Sequence, residues 1–156
     1  MKLAPIETEV IDLFVHLARL LNLPKSVAEI YGLLFIAPEP LPMEAITRRL
    51  DLSKGAASQG LRLLRKLGAV RVVYAAGKRS DHFEAERELR KLIGGLIHDQ
   101  LQPQFDDGGN RLQRIQELSS QLPAPDRHRV RERLHRLQQW QQAGQRFLPL
   151  LQQCFV

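Results

Sequence analysis

The sequence predicts a mainly α-helical fold with one small β-hairpin, and three observations in residues 41–85 lead to that prediction. Two short segments of helical periodicity follow each other closely, and the apolar spacing then changes from about 3.6 residues to about 2. The spacing of about 2 indicates two β-strands, and a turn rich in basic residues separates them. Helix, short turn, helix and basic hairpin in this order form the outline of a winged helix-turn-helix. Apolar helical repeats on both sides of it predict flanking N-terminal and C-terminal dimerisation helices.

The N-terminal flanking helix is predicted over residues 5–22, because apolar side chains recur there at helical spacing. A helix this apolar must pack against another element. Val10, Leu13 and Leu17 lie among its apolar positions, and we assign them to a dimer contact.

A second helix begins at Lys25 or Ser26 and ends within residues 37–40, since residues before proline avoid the α region. Tyr31 and Phe35 are interpreted as core residues of this helix, and the alternative is that they form the wall of a ligand site. The predicted inward side chains are Val27, Ile30, Tyr31, Leu34 and Phe35.

The next helix is short and amphipathic, over residues 42–50, and Pro42 fits its first turn because a missing N–H costs nothing there. Ser53 then occupies the position of an N-cap. The helix that Ser53 opens extends to about Leu67, with Gly68 at the C′ position where glycine is favoured.

The helix after Ser53 has two different sides. Ala57, Leu61 and Leu64 are predicted to line its buried side. The predicted DNA-binding residues of this segment are Ser53, Lys54, Gly55, Ser58, Gln59 and Arg62.

A hairpin is predicted after this helix. A turn spans residues 76–81, and a return strand spans residues 82–85. Lys78 and Arg79 lie in the turn and are predicted to contact DNA. The first strand alternates through Val70, Arg71, Val72, Val73 and Tyr74.

The positive charge of the chain is concentrated in this segment. Residues 41–80 contain nine Lys or Arg and two Asp or Glu, a net charge of +7, whereas the whole chain carries +6. A basic surface on a helix-turn-helix and its wing indicates the phosphate backbone of double-stranded DNA as the partner. The alternative is a solvated charged face.

The C-terminal half is predicted to be helical, with one loop. An amphipathic helix covers residues 85–100, a loop covers residues 102–109, and a further helix follows to Leu122. The last helix begins at Asp126, and Pro149 should bend or end it near Leu148.

The last helix carries an apolar seam with steps of three and four residues, which approximates a heptad repeat. This seam predicts a partner helix, either the same helix or the N-terminal helix of a second copy. Packing within one subunit is the alternative. We assign Leu134, Leu137, Trp140 and Phe147 to a dimer contact. The full seam is Val130, Leu134, Leu137, Trp140, Gly144, Phe147 and Leu151.

Three regions are therefore predicted: an N-terminal dimerisation helix (1–22), a DNA-binding domain (23–85) and a C-terminal dimerisation region (86–156). The single cysteine, Cys154, excludes an intramolecular disulfide and fits a reducing cytoplasm. It is interpreted as a small apolar residue, with a redox switch as the alternative. The chain has no run of eighteen apolar residues, so no membrane contact is predicted.

No catalytic chemistry is indicated. The sequence lacks nucleophile-elbow, P-loop and dinucleotide fingerprints, so we expect neither an enzyme nor a cofactor. No pair of histidines has the i, i+4 spacing of a helical metal clamp. His128 and His135 lie seven residues apart among arginines, so no metal site is predicted.

Four segments resemble the MarR-type (multiple antibiotic resistance regulator) winged-helix regulators, and among them the subgroup named for the glycine-betaine synthesis regulator (GbsR-like). The more specific are LSKGAASQGLR at residues 52–62 and GKRSDHF at residues 77–83. Residues 23–35 and 40–41 add to the resemblance, which covers about residues 23–85.

The resemblance implies a homodimer on a palindromic operator, acting mainly as a repressor that a small-molecule effector releases. It would direct the polar side of the helix after Ser53 to the major groove and Arg79 to the wing tip. Aromatic cages that bind cationic effectors need rings close together, and Phe14, Trp140 and Phe147 lie far apart in sequence. No particular effector is therefore predicted. The alternative function is a winged-helix module that binds an acidic protein without sequence-specific DNA binding.

Overall fold

The computed structural model describes residues 2–74, 76–77 and 79–155, and the chain forms two compact units that divide between Leu92 and Ile93. The predicted fold class, mainly helical with a small hairpin, is confirmed. The first elements are α1 (Pro5–Leu20), α2 (Lys25–Ile36), β1 (Leu41–Pro42), α3 (Met43–Leu50), α4 (Lys54–Lys66), β2 (Val70–Val73) and β3 (His82–Ala85). They are followed by α5 (Leu89–Leu96), a π-helical turn (Ile97–Leu101), α6 (Gln102–Ser119) and α7 (Ala124–Phe155).

The hydrophobic core of the first unit is built around α2. The predicted inward positions of α2 are confirmed, because four of the five are buried and Phe35 packs on the core from its edge. The largest fully buried side chains are Ile30, Leu33, Leu34 and Ile46.

Helix α1 packs on α2 at a glycine. A Cβ atom at Gly32 would lie 2.9 Å from Ile11 Cα, so only glycine permits this approach of the two backbones. Ile11, Val15 and Ala18 are buried on the same side of α1. Helix α1 therefore contributes to the core of the first unit, although residues 1–22 were predicted to form a region of their own.

The aromatic residues of α1 and α2 form one cluster. The ring centroid of Phe14 lies 4.8 Å from that of Tyr31 and 5.1 Å from that of Phe35. Tyr31 is 5% exposed. These contacts support core packing for Tyr31 and Phe35, the first of the two interpretations considered above.

The sheet has three strands in the order β1-β3-β2. The prediction that Pro42 lies in the first turn of a helix was wrong, because Leu41 and Pro42 pair with Phe83 and His82 of β3. Strand β1 lies at the edge of the sheet, where a proline without an N–H donor is tolerated. Helix α3 begins one residue later, at Met43.

The segment after β3 is fixed to α2 by two side-chain hydrogen bonds. Tyr31 Oη donates to Glu86 O at 2.6 Å, and Arg87 Nη2 donates to Ala37 O at 2.8 Å, just after the end of α2. Burial, and to a smaller extent the charge of Glu86, raises the pKa of Tyr31 to about 12. These bonds hold the base of the hairpin against the core.

The loop predicted at residues 102–109 is helical, so that prediction was wrong. The π-helical turn before it lets Gln102 N–H donate to Ile97 O, five residues earlier. Pro103 then lies in the first turn of α6, where no N–H is required.

Glycines and glutamines form the contact between α6 and α7. Cβ atoms at Gly108 and Gly109 would lie 3.2 Å and 3.3 Å from the side-chain amide of Gln141. The Gln141 amide donates to Phe105 O, and a Cβ atom at Gly144 would overlap the Phe105 ring. The glycines of α6 therefore serve helix packing, and they do not form a loop.

Helix α7 continues through Pro149 to Phe155, so of the two predicted outcomes, a bend or an end near Leu148, the end is excluded. Proline removes one helical hydrogen bond, and the remaining bonds of this long helix are sufficient to extend it. In residues 2–74, 76–77 and 79–155, no helix has both the length and the apolar character needed to cross a lipid bilayer.

Candidate nucleic-acid interface

Both ends of α4 are fixed by local geometry. Ser53 Oγ accepts a hydrogen bond from Ala56 N–H at 3.1 Å, which confirms Ser53 as the N-cap. Asp51 has φ of +54°, and this left-handed conformation turns the chain between α3 and α4. Gly68 follows the C-cap residue Leu67 with φ of +71°. The predicted bounds of this helix are confirmed.

The predicted apolar side of α4 packs into the core. Ala57, Leu61 and Leu64 are each less than 5% exposed. A Cβ atom at Gly60 would lie 2.6 Å from Ile30 Cδ1, so Gly60 lets α4 approach α2 closely. The inner side of α4 thus packs on the core of the first unit, and this packing fixes the orientation of its outer side.

The outer side of α4 carries one stripe of exposed residues, with spacings of four, three and four residues. The stripe consists of Gly55, Gln59, Arg62 and Lys66. Lys54 is exposed beside this stripe, and Ser58 is half-buried at its edge. The Ser53 hydroxyl already accepts the hydrogen bond that caps the helix.

Lys66 was not among the residues selected from the sequence. It lies four residues after Arg62, so helical spacing alone was a sufficient signal. Arg65, in the same last turn of α4, and Arg48, on α3, are also exposed. The exposed basic surface is therefore larger than the one predicted from the sequence.

The wing supplies a second basic surface. Arg79 and Ser80 are exposed in the turn, and Gly77 adopts φ of +79° there. Lys78 lies outside the described residues, so its predicted DNA contact stays a prediction. The strands below the turn pair Val70 with Ala85, Arg71 with Glu84, Val72 with Phe83 and Val73 with His82.

Two other basic residues of the hairpin have partners within it. Arg71 pairs with Glu84 directly opposite, and this hydrogen bond raises the pKa of the guanidinium. His82 is 5% exposed, with Nδ1 at 2.9 Å from Ser80 O. A carbonyl oxygen only accepts, so Nδ1 carries the proton in this bond. His82 therefore binds the turn through Nδ1, and its side chain is buried.

The predicted dimer residues of α1 lie on a side that the core does not cover. Leu13 is 57% exposed and Leu17 is 47% exposed, whereas Val10 is half-buried. Ile6 and Leu20 continue this side, at 62% and 83% exposure. The apolar stripe of α1, defined as these five residues, repeats with spacings of four and three.

The predicted dimer residues of α7 divide into two groups. Leu134 is 6% exposed and belongs to the interior of the second unit. Leu137, Trp140 and Phe147 are 52%, 78% and 64% exposed. With Leu151, at 46% exposure, they form the apolar stripe of α7.

The first turns of α7 carry a further basic surface. His128 and His135 line one open groove together with Arg131 and Arg136. Within the part of the chain that the structure describes, no group of three or more His, Cys, Asp or Glu residues is arranged to hold a metal ion.

Helix α4, the core on which it packs and the hairpin of β2 and β3 together define a winged helix-turn-helix. Among solved structures, a crystal structure of a transcriptional regulator matches this chain with a TM-score of 0.63 and 19% identity, over 96% of this chain and 99% of that chain. At this identity the similarity establishes the fold. A mutant of MepR from S. aureus bound to an oligodeoxyribonucleotide gives a TM-score of 0.44 and 18% identity, over 86% of this chain and 91% of that chain. A score below 0.5 does not establish a common fold. No protein-family model and no curated protein matches the sequence.

Proposed function

We propose that this chain is a sequence-specific DNA-binding transcriptional regulator that acts as a homodimer. The observation that carries the proposal is the outer stripe of α4, where Gln59, Arg62 and Lys66 are exposed on a helix whose opposite side is buried. The major groove of B-DNA is about 12 Å wide and admits such a helix. The stripe has the donors that base edges and phosphates require.

The side chains of α4 and the wing have different roles in this proposal. The planar guanidinium of Arg62 can donate to both O6 and N7 of a guanine, and the Gln59 amide can pair with N6 and N7 of an adenine. Lys54 and Lys66 supply positive charge to the phosphates. Arg79 in the wing contacts a phosphate or the minor groove, where it adds affinity with little dependence on sequence.

Exposed apolar stripes support the homodimer. Large apolar side chains that remain in water, such as Leu13 on α1 and Trp140 on α7, indicate a surface that a partner covers. A dimer with two-fold symmetry would place its two recognition helices about 34 Å apart, one turn of DNA. The operator is therefore proposed to be palindromic.

The resemblance of residues 52–62 and 77–83 to MarR-type regulators of the GbsR-like subgroup supports a more specific proposal about how the dimer acts. In that proposal the dimer is a repressor in the cytoplasm, and a small-molecule effector releases it from DNA. An effector that binds better to a dimer with the wrong half-site spacing would lower the DNA affinity by a population shift.

Selection of bound sequences from a random pool of double-stranded DNA tests the proposal. The full chain should enrich an inverted repeat, and a folded Gln59→Ala/Arg62→Ala variant should enrich it poorly or not at all. Glu9→Gln, an exposed change on α1, serves as the matched control. Binding without enrichment of any sequence would contradict the proposal and favour a module for acidic partners.

A further inference from the structure

An ion pair joins α1 to α3. Arg49 Nη2 lies 2.7 Å from Glu7 Oε1 and 2.6 Å from Glu7 Oε2, so one nitrogen bridges both carboxylate oxygens. The side chains of Glu7 and Arg49 are only 13% and 14% exposed. They come from positions 42 residues apart in the chain. The pair is therefore a tertiary contact and is shielded from solvent.

Glu7 is held in place from its own helix. Its Oε2 accepts a hydrogen bond from Ala4 N–H at 2.8 Å, which satisfies a free donor at the N-terminus of α1. This bond and, after it, Arg49 lower the pKa of the Glu7 carboxyl, although burial acts in the opposite direction. Glu7 is therefore a fixed negative charge at neutral pH, and its position is set by α1.

Arg49 lies in the last turn of α3, immediately before the turn that leads to α4. Its Nε is buried and has no hydrogen-bond partner among the described residues. A buried ion pair with an unsatisfied donor is a poor source of stability, and apolar residues of similar volume often stabilise such a position better. Stability alone therefore does not explain an arginine here.

The place of Arg49 in the chain suggests another role. Asp51 follows two residues later with its left-handed backbone, and Ser53 caps α4 four residues later. A shift of the end of α3 would be transmitted directly to the N-terminus of α4. The ion pair thus connects α1, with its exposed apolar stripe, to the helix proposed to read DNA.

We propose that the Glu7–Arg49 pair positions the helix-turn-helix relative to α1, and that Arg49 is a positioning residue for DNA binding. The inference rests on the proposed function, because in it the pair holds α4 at the angle and spacing that a two-fold operator requires. Arg49 itself contacts no base in this proposal.

Three variants isolate the ion pair. Glu7→Gln keeps an acceptor for Ala4 N–H but removes the charge. Arg49→Met keeps an apolar stem of similar length but removes the guanidinium. Arg49→Lys restores a charge without the two-oxygen bridge and serves as the conservative variant. The control is Glu9→Gln, which removes an exposed carboxylate from the same helix.

Hydrogen exchange gives the first measurement and does not depend on DNA. In Glu7→Gln and Arg49→Met, we expect the amides of residues 47–57 to exchange about tenfold faster, because each variant leaves one charge of the pair without its partner and local opening then becomes easier. The amides of residues 30–34 in α2 should keep their wild-type rates. Arg49→Lys should recover part of the protection.

Operator spacing gives the second measurement. On the selected inverted repeat and on versions one base pair longer or shorter, the wild type should prefer one spacing. Arg49→Met should reduce this preference by about tenfold while it changes affinity for random DNA little, since the phosphate contacts remain.

Equal rises in exchange at residues 30–34 and 47–57 would overturn the inference, because the pair would then act only on global stability. Rates at residues 47–57 no higher than in Glu9→Gln would overturn it as well. If the wild type binds no DNA, the proposed function fails, and the exchange data alone decide whether the pair positions α3 and α4. If exchange changes but spacing preference does not, the pair has no positioning role in DNA binding.

Discussion

The two units of this molecule differ in how they bury apolar side chains. The first unit has a continuous core that includes all the largest fully buried residues of the described chain. The second unit has far less buried apolar surface, while Trp140 and Phe147 remain 78% and 64% exposed. Its buried hydrophobic residues, within residues 93–155, are Ile97, Leu134 and Leu148.

From this difference we propose that the second unit depends on a partner. Burial of apolar surface contributes about 25 cal/mol per Å², so the first unit has its own source of stability. The contact between α6 and α7 places the polar side chain of Gln141 against Gly108 and Gly109, and the Phe105 ring against Gly144. We therefore expect the second unit to gain much of its stability from association with another copy.

The largest expected effect is in the core of the first unit. Ile46→Ala, at a side chain that is 0% exposed, should lower the free energy of unfolding by about 2–5 kcal/mol. Ile115→Ala, at a 42% exposed side chain of α6, should lower it by less than about 1 kcal/mol. Chemical denaturation of both variants measures the difference, and similar losses would show that the two units are equally well packed.

The next effect concerns association. Replacement of both Leu137 and Trp140 with Glu should convert the proposed dimer to a monomer whose first unit stays folded, because each apolar side chain that loses burial costs about 1.5–3 kcal/mol. The midpoint of thermal unfolding should rise with protein concentration in the wild type and not in this variant. Gln139→Glu, on the polar side of α7, is the control for added charge. A doubly substituted variant that remains dimeric by light scattering would exclude this stripe as the contact.

The two surfaces proposed to bind DNA, on α4 and on the wing, should also differ from each other. Arg62→Ala should reduce discrimination between the operator and scrambled DNA by about 1–3 kcal/mol, because a bidentate base contact is lost. Arg79→Ala should weaken both complexes in similar proportion and reduce the salt dependence by about one ion per site. Titrations at several salt concentrations separate these results. An unchanged specificity ratio for Arg62→Ala would mean that Arg62 does not read bases.

The smallest effect tests how the wing is held. Tyr31→Phe removes the hydrogen bond to Glu86 O and should cost about 0.5–1.5 kcal/mol. The folded protein holds the Tyr31 proton more tightly than the unfolded chain, because the pKa is raised from 10.0 to about 12. This contribution is complete below pH 10 and is lost as the pH rises toward 12.

Unfolding measured between pH 9 and pH 12 should therefore show a steeper loss of stability in the wild type than in Tyr31→Phe. Tyr74→Phe, at an 88% exposed ring, is the matched control and should leave the stability near its wild-type value. Identical slopes for wild type and Tyr31→Phe would show that Tyr31 does not contribute in this way.

Local signals were sufficient to predict α4 and the return strand of the hairpin from the sequence. Ser53 is within hydrogen-bond reach of the backbone three residues later, and Gly68 adopts the left-handed conformation that ends a helix. The return strand His82–Ala85 was predicted with its observed bounds, because the turn and the alternation are both local. The exposed polar side of α4 follows from the same periodicity.

Features that depend on distant residues were not predictable in this way. Strand β1 has two residues and exists only because β3 pairs with it. Gly108 and Gly109 resemble a loop in sequence, but their contacts with Gln141 of α7 explain why they are helical. The Glu7–Arg49 pair joins residues far apart in the chain, and no periodic pattern indicates it.

We propose that two copies of the chain, joined through their exposed apolar stripes, present their α4 helices to one operator. Sedimentation of the full chain with the selected duplex measures this directly, since it reports DNA binding and stoichiometry together. We expect two chains per duplex at saturation, and a dimer in the absence of DNA. A complex with one chain per duplex, or no complex with the selected DNA, would contradict it.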